Sequence, residues 1–141
     1  PAKQQQLLDL GADEVVFRDA KLVEVLGNNS VDVIIDLVAG SQWPQFLEVL
    51  RAQGRYAVSG AIGGALVELD VRTLYLKDLS FFGCTVLEPG VFQNLVNCIE
   101  QQNIMPIVAQ TFPLVEIYTA QKIFLEKKHV GKIVLTVSGK R

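Results

Sequence analysis

Few side chains in this 141-residue sequence stand at spacings that chemistry needs. His129 is the sole histidine, in KKHVGK, with no cysteine or aspartate at ligand spacing. Neither metal ligation nor imidazole acid–base work is indicated there. Cys84 and Cys98 lie in apolar segments, where a thiol packs as a small hydrophobe, and two cysteines are too few for a secreted disulfide scaffold. A glycine turn that cradles pyrophosphate needs G-x-G-x-x-G, and the one glycine cluster, Gly60–Gly64, has the wrong spacing. Two features remain. Asp36 is a carboxylate inside the apolar stretch DVIIDLVAG (32–40), and a buried carboxylate needs partners. The small-residue turn Val38-Ala39-Gly40 follows it, and open α/β sheets place ligands outside the carboxyl ends of their strands.

These residues need a sheet to position them. Val33, Ile34, Ile35, Leu37 and Val38 form a nearly unbroken aliphatic run, which reads as a parallel strand covered on both faces. Trp43, Phe46, Leu47 and Leu50 recur at helical spacing, with Ser41 as N-cap and Pro44 in the first turn. GRYAVSG (54–60) is the next strand and completes a strand–helix–strand unit. Upstream, the pattern predicts a helix over 3–10 stopped by Gly11, a strand from Glu14 to Phe17, and a short helix around Val23 and Leu26. Downstream it predicts a loop over AIGGALVEL, then a short helix containing Leu74 and Leu76 and capped by Asp70. A strand over Ser80–Leu87 and an amphipathic helix carrying Val91, Phe92, Leu95, Val96 and Ile99 follow. A strand over Val108–Phe112, a helix over Glu116–Glu126 and a last strand over Lys132–Val137 complete the chain.

Half of the residues are apolar, as an α/β core requires, and the length fits one domain spanning 1–141. Thirteen basic and fifteen acidic residues leave a formal charge of −2, with no basic cluster beyond Lys127-Lys128, so nucleic acid is not an expected partner. No apolar run reaches the length of a membrane span, and the first residues lack the pattern of a signal peptide. A soluble, cytoplasmic protein is expected.

Five segments, KQQQLLDLGADEVV (3–16), DVIIDLVAG (32–40), GRYAVSG (54–60), SFFGCTVL (80–87) and HVGKIVLTV (129–137), together resemble the C-terminal part of the medium-chain dehydrogenase/reductase superfamily. These are the zinc-type alcohol dehydrogenases and their quinone oxidoreductase relatives. Each segment alone is weak, but the ordered set is specific and covers nearly the whole chain. The resemblance implies a partial Rossmann-like, doubly wound parallel α/β sheet. It lacks the first strand, glycine turn, helix and second strand, and the C-terminal return segment 107–141 carries two strands that would join a catalytic domain not in this sequence. It implies that these residues are a portion of a longer, NAD- or NADP-dependent oxidoreductase acting on a carbonyl, quinone or enone, and that the 141 residues alone are inactive. The alternative is a non-catalytic nucleotide-binding or interaction fragment.

Residue by residue, the resemblance puts Lys3 near the adenosine ribose or its 2′-phosphate, a cation that would favour NADP. Val38 would line the ribose and ring. The backbone of Ser59, Gly60 and Ala61 would touch the nicotinamide carboxamide from one side, and that of Cys84 to Val86 from the other. Lys132, at the start of the last strand, would face the pyrophosphate. In each case the bland reading is a solvated lysine or an ordinary tight turn. Asp36 either caps backbone at the strand end or lies near the cofactor. No catalytic residue and no zinc ligand fall within the chain. The resemblance also implies a homodimer that pairs strand 80–86 with its counterpart, where Phe81, Phe82 and Val86 form an apolar edge.

Overall fold

The computed structural model describes residues 3–85 and 87–137. In chain order the elements are helices α1 (Gln4–Asp9) and α2 (Leu22–Leu26), strand β1 (Val31–Asp36), helix α3 (Trp43–Val49), strand β2 (Leu50–Val58), helix α4 (Val71–Leu76) and strand β3 (Ser80–Gly83). Helix α5 (Val91–Glu100), strand β4 (Val108–Pro113), a 3-10 turn (Leu114–Glu116), helix α6 (Ile117–Leu125) and strand β5 (Lys132–Thr136) follow. The chain divides into two compact units: residues 16–87, and residues 1–15 together with 88–141.

The unit 16–87 is a three-stranded parallel sheet in the order β1-β2-β3, as expected of the fourth, fifth and sixth strands of a doubly wound sheet. Strand alternation sends Ile34 and Asp36, Tyr56 and Val58, and Phe81 to one face. Helix α3 packs there through Trp43 and Leu47, with Leu50 and Leu79 completing a buried cluster around Tyr56. The Trp43 ring stands edge-on to Tyr56 at 4.7 Å between centroids and to Phe81 at 5.5 Å. The Lys77 ammonium donates to the carbonyls of Leu47 (2.7 Å), Glu48 (3.2 Å) and Leu50 (2.8 Å), closing the open end of α3. Burial there lowers its pKa against the opposing pull of Glu48. Asp70 caps α4 as expected, accepting from the Arg72 amide at 2.9 Å.

Several expectations are corrected. The stretch 32–38, strand β1 and the residues after it, is covered on one face only: Ile35 is 69% and Leu37 61% exposed. An unbroken apolar run shows that both faces are apolar, not that both are covered. Residues 14–17 form no strand, because no strand among the described residues pairs with them and an extended segment without a neighbour makes no ladder. The N-cap of α3 is Gln42, without a side-chain cap bond, rather than Ser41, and Leu50 opens β2 instead of ending α3. Strand β3 stops at Gly83, where its last partner, Val58, ends β2.

In the other unit, β4 and β5 pair in parallel across α6, with Val108 opposite Lys132 and Pro113 opposite Thr136. Gly11 follows α1 with φ +103°, as predicted for a helix stop. No helix among the described residues is long and apolar enough to cross a membrane.

Candidate functional site

Because Asp36, Val58 and Gly83 end their strands in register, the segments after them leave the sheet side by side. The backbone locks them together. Ser59 donates to the Asp36 carbonyl at 2.9 Å, Cys84 to the Val58 carbonyl at 2.9 Å, and Gly63 to the Val38 carbonyl at 2.7 Å. Ala39 forms a bridge with Gly64. Two glycines permit this closeness. A Cβ on Gly60 would stand 2.4 Å from the Leu37 carbonyl oxygen, and one on Gly40 (φ +84°) 2.4 Å from that of Gly63. The loops 37–40 and 59–64 therefore form one interlocked rim.

Asp36 anchors that rim from below. One carboxylate oxygen accepts from the amides of Val38 (2.8 Å) and Ala39 (2.9 Å), and the other from the Tyr56 hydroxyl (2.6 Å). Burial works against its ionisation, but the Tyr56 hydroxyl and the two amides outweigh it and hold the carboxyl below its usual range. Burial, together with the neighbouring carboxylate, pushes the Tyr56 phenol well above its usual value. A depressed carboxyl favours the folded state above the ordinary Asp value, and that contribution is lost as pH falls through the lower, folded value. Of the two readings of Asp36, the backbone cap is the one found. Tyr56 was missed as its partner. No local sequence signal pairs the two; the register does, since Ile34 lies opposite Tyr56 and Asp36 and Tyr56 therefore share a face two positions apart.

A pocket of about 370 Å³ opens beside this rim, lined by Ala39, Trp43, Tyr56, Ala61, Phe82 and Gly83 among others. The Trp43 indole Nε1 is buried nearby with no hydrogen-bond partner among the described residues. Such a lining suits a flat, weakly polar ring better than a charged group.

Of the residues singled out in the sequence, Val38, Ser59, Gly60, Ala61 and Cys84 converge at this end of the sheet. Cys84 is exposed rather than packed in a core, because β3 ends one residue earlier; Cys98 on α5 is half-buried. Val86 lies outside the described residues. Lys3 and Lys132 belong to the other unit. Lys3 donates through its ammonium to the Lys127 carbonyl. Lys132 is exposed, with its amide bound to the Ile107 carbonyl at 2.8 Å. His129 is half-buried against Phe124, with 5.8 Å between ring centroids.

The family model for zinc-binding dehydrogenases matches residues 10–135. The chain belongs to the zinc-binding dehydrogenase family. Among solved structures, this family member is similar to a Sinorhizobium meliloti 1021 protein assigned to the alcohol dehydrogenases. The two share 40% identity with a TM-score of 0.85, over 98% of this chain and 40% of that one. A thermostable alcohol dehydrogenase from Pyrobaculum aerophilum shares 28% identity with a TM-score of 0.77, over 95% of this chain and 39% of the other. Among curated proteins, the quinone oxidoreductase-like protein 2 of Bos taurus is 27% identical over 124 residues, which is 81% of this chain and 35% of that protein. The chain thus spans well under half the length of these relatives. The parallel α/β fold resembles part of the Rossmann-like cofactor domain of alcohol dehydrogenases.

Proposed function

We propose that this chain supplies the nicotinamide-side wall of the cofactor site in a soluble, cytoplasmic NAD(P)-dependent oxidoreductase that acts on a carbonyl, quinone or enone. The observation that carries the reading is the register of Asp36, Val58 and Gly83, which delivers three loops to the carboxyl end of one parallel sheet. The fit is local. On this reading the backbone at Ser59–Ala61 and Cys84 would meet the carboxamide, and the adjoining apolar pocket suits a flat ring. When bound, a nicotinamide would supply the hydride chemistry. This chain's own residues position it and shield it from water, with Val38 beside the ribose and ring. Lys3 would favour the 2′-phosphate of NADP, and Lys132 would face the pyrophosphate. On this reading no side chain of the chain would act as a zinc ligand or as a catalytic acid or base.

Lys132→Ala in the full polypeptide that carries this chain should weaken cofactor binding by about 1–3 kcal/mol, the scale of a hydrogen bond to a charged group. The change should fall on cofactor affinity with kcat nearly unaltered. Equal affinity in wild type and variant would return Lys132 to an ordinary solvated lysine.

The same reading includes a homodimer through residues 80–86. Strand β3 pairs only with β2 among the described residues, and Phe82 beside its free edge is 50% exposed. Light scattering at tens of micromolar should give a dimeric mass, and a monomeric mass would count against it.

A further inference from the structure

Among the described residues, Asp36 is the one buried charged side chain. It sits in an otherwise apolar cluster of Trp43, Tyr56 and Phe81. A carboxylate taken out of water costs free energy unless its oxygens are bonded, and here two of its three bonds go to the rim rather than to the sheet. They hold the Val38 and Ala39 amides inward, with Ala39 in a left-handed conformation (φ +54°) that a free turn would seldom keep. From that turn the Val38 carbonyl accepts from Gly63, and Ala39 bridges to Gly64. The backbone carbonyl of Asp36 accepts from Ser59. One residue therefore sets both loops of the rim.

We propose that Asp36 is a positioning residue for the cofactor wall, with the Tyr56 hydroxyl as the lock that orients its carboxylate. The proposal rests on the nucleotide-site reading given above. A side chain that merely filled the core would be apolar; this one acts through Val38 and Ala39 on backbone that would touch the ligand. Tyr56 restrains the second oxygen, so the first keeps both amides.

The test compares the full polypeptide that carries this chain, as wild type, Asp36→Asn and Tyr56→Phe. Two readouts are taken: dissociation constants for NADH and NADPH, and site-resolved amide hydrogen exchange. Asp36→Asn keeps an acceptor of the same size but loses the charge. It should weaken cofactor binding about tenfold and speed exchange at Val38, Ala39 and Gly63 by a similar factor, leaving the β1–β2 ladder unchanged. Tyr56→Phe, which leaves both turn bonds in place, should move the same readouts about threefold. If Asp36→Asn does not fold, the Tyr56→Phe pattern decides. Unchanged affinity with unchanged exchange would overturn the proposal, as would faster exchange spread evenly over the sheet. Failure of the wild type to bind either nucleotide would overturn the functional reading instead, while the exchange pattern would still judge the role of Asp36.

Discussion

Trp43→Ala is expected to destabilise the chain by about 3–5 kcal/mol, the range for truncating a large buried aromatic. The indole is 7% exposed and meets Tyr56 and Phe81 edge-on, contacts worth about 0.5–1.5 kcal/mol each beyond area burial. One term opposes this. The buried Nε1 has no partner among the described residues, which costs about 1–3 kcal/mol and is removed with the ring. Loss of packing over the whole indole is the larger effect, so the net sign is destabilising. Trp43→Phe separates the two: it keeps an aromatic edge against Tyr56 and deletes the orphaned donor, so it should cost clearly less than alanine. Urea unfolding followed by circular dichroism is the measurement, because Trp43 is the sole tryptophan and fluorescence would be lost with it. A loss below about 1 kcal/mol for Trp43→Ala would mean that the cluster around Tyr56 does not organise the sheet.

Titrated alone, the 141 residues are expected to bind NADH and NADPH no better than about millimolar, near −4 kcal/mol. On the function proposed above, the rim at Val38, Ser59–Ala61 and Cys84 would offer backbone to one end of such a ligand. The ligand's charge lies elsewhere, on the pyrophosphate. Within this sequence no G-x-G-x-x-G brings amides and a helix N-terminus to it. Lys132 offers one cation, and one such contact does not replace the several amides of a phosphate-binding turn. Strand β1 is also left with one edge unpaired among the described residues, beside Ile35 and Leu37, so part of any binding energy would go into ordering the site. Isothermal titration calorimetry tests this directly. Micromolar affinity for either nucleotide would show that these residues hold a complete site.

Most elements were legible in the sequence because their signals are local. The α3 pattern, the Asp70 cap and the stop at Gly11 each depend on residues within a turn or two of one another, and each formed where it was predicted, to within a few residues. The strands carried the same kind of signal, but a strand exists only when another pairs with it. Hence Glu14–Phe17, whose composition fits a strand, pairs with no strand among the described residues, and the predicted 80–87 strand ends at Gly83, where β2 stops.

By itself, then, the sequence determined the order and type of the helices, the parallel character of the sheet, and which small residues close its strands, since propensity and periodicity are properties of neighbouring residues. The ordered segments also pointed to the dehydrogenase family. Tertiary structure alone decided what covers what and which polar groups meet. Ile35 and Leu37 are as apolar as Ile34, but only the face under α3 and α4 is filled. Asp36 could be flagged as anomalous from its neighbours in DVIIDLVAG, but its partner lies twenty residues away, on a strand whose register no local pattern specifies. That register brings the Tyr56 hydroxyl to the carboxylate, and the carboxylate in turn sets the rim.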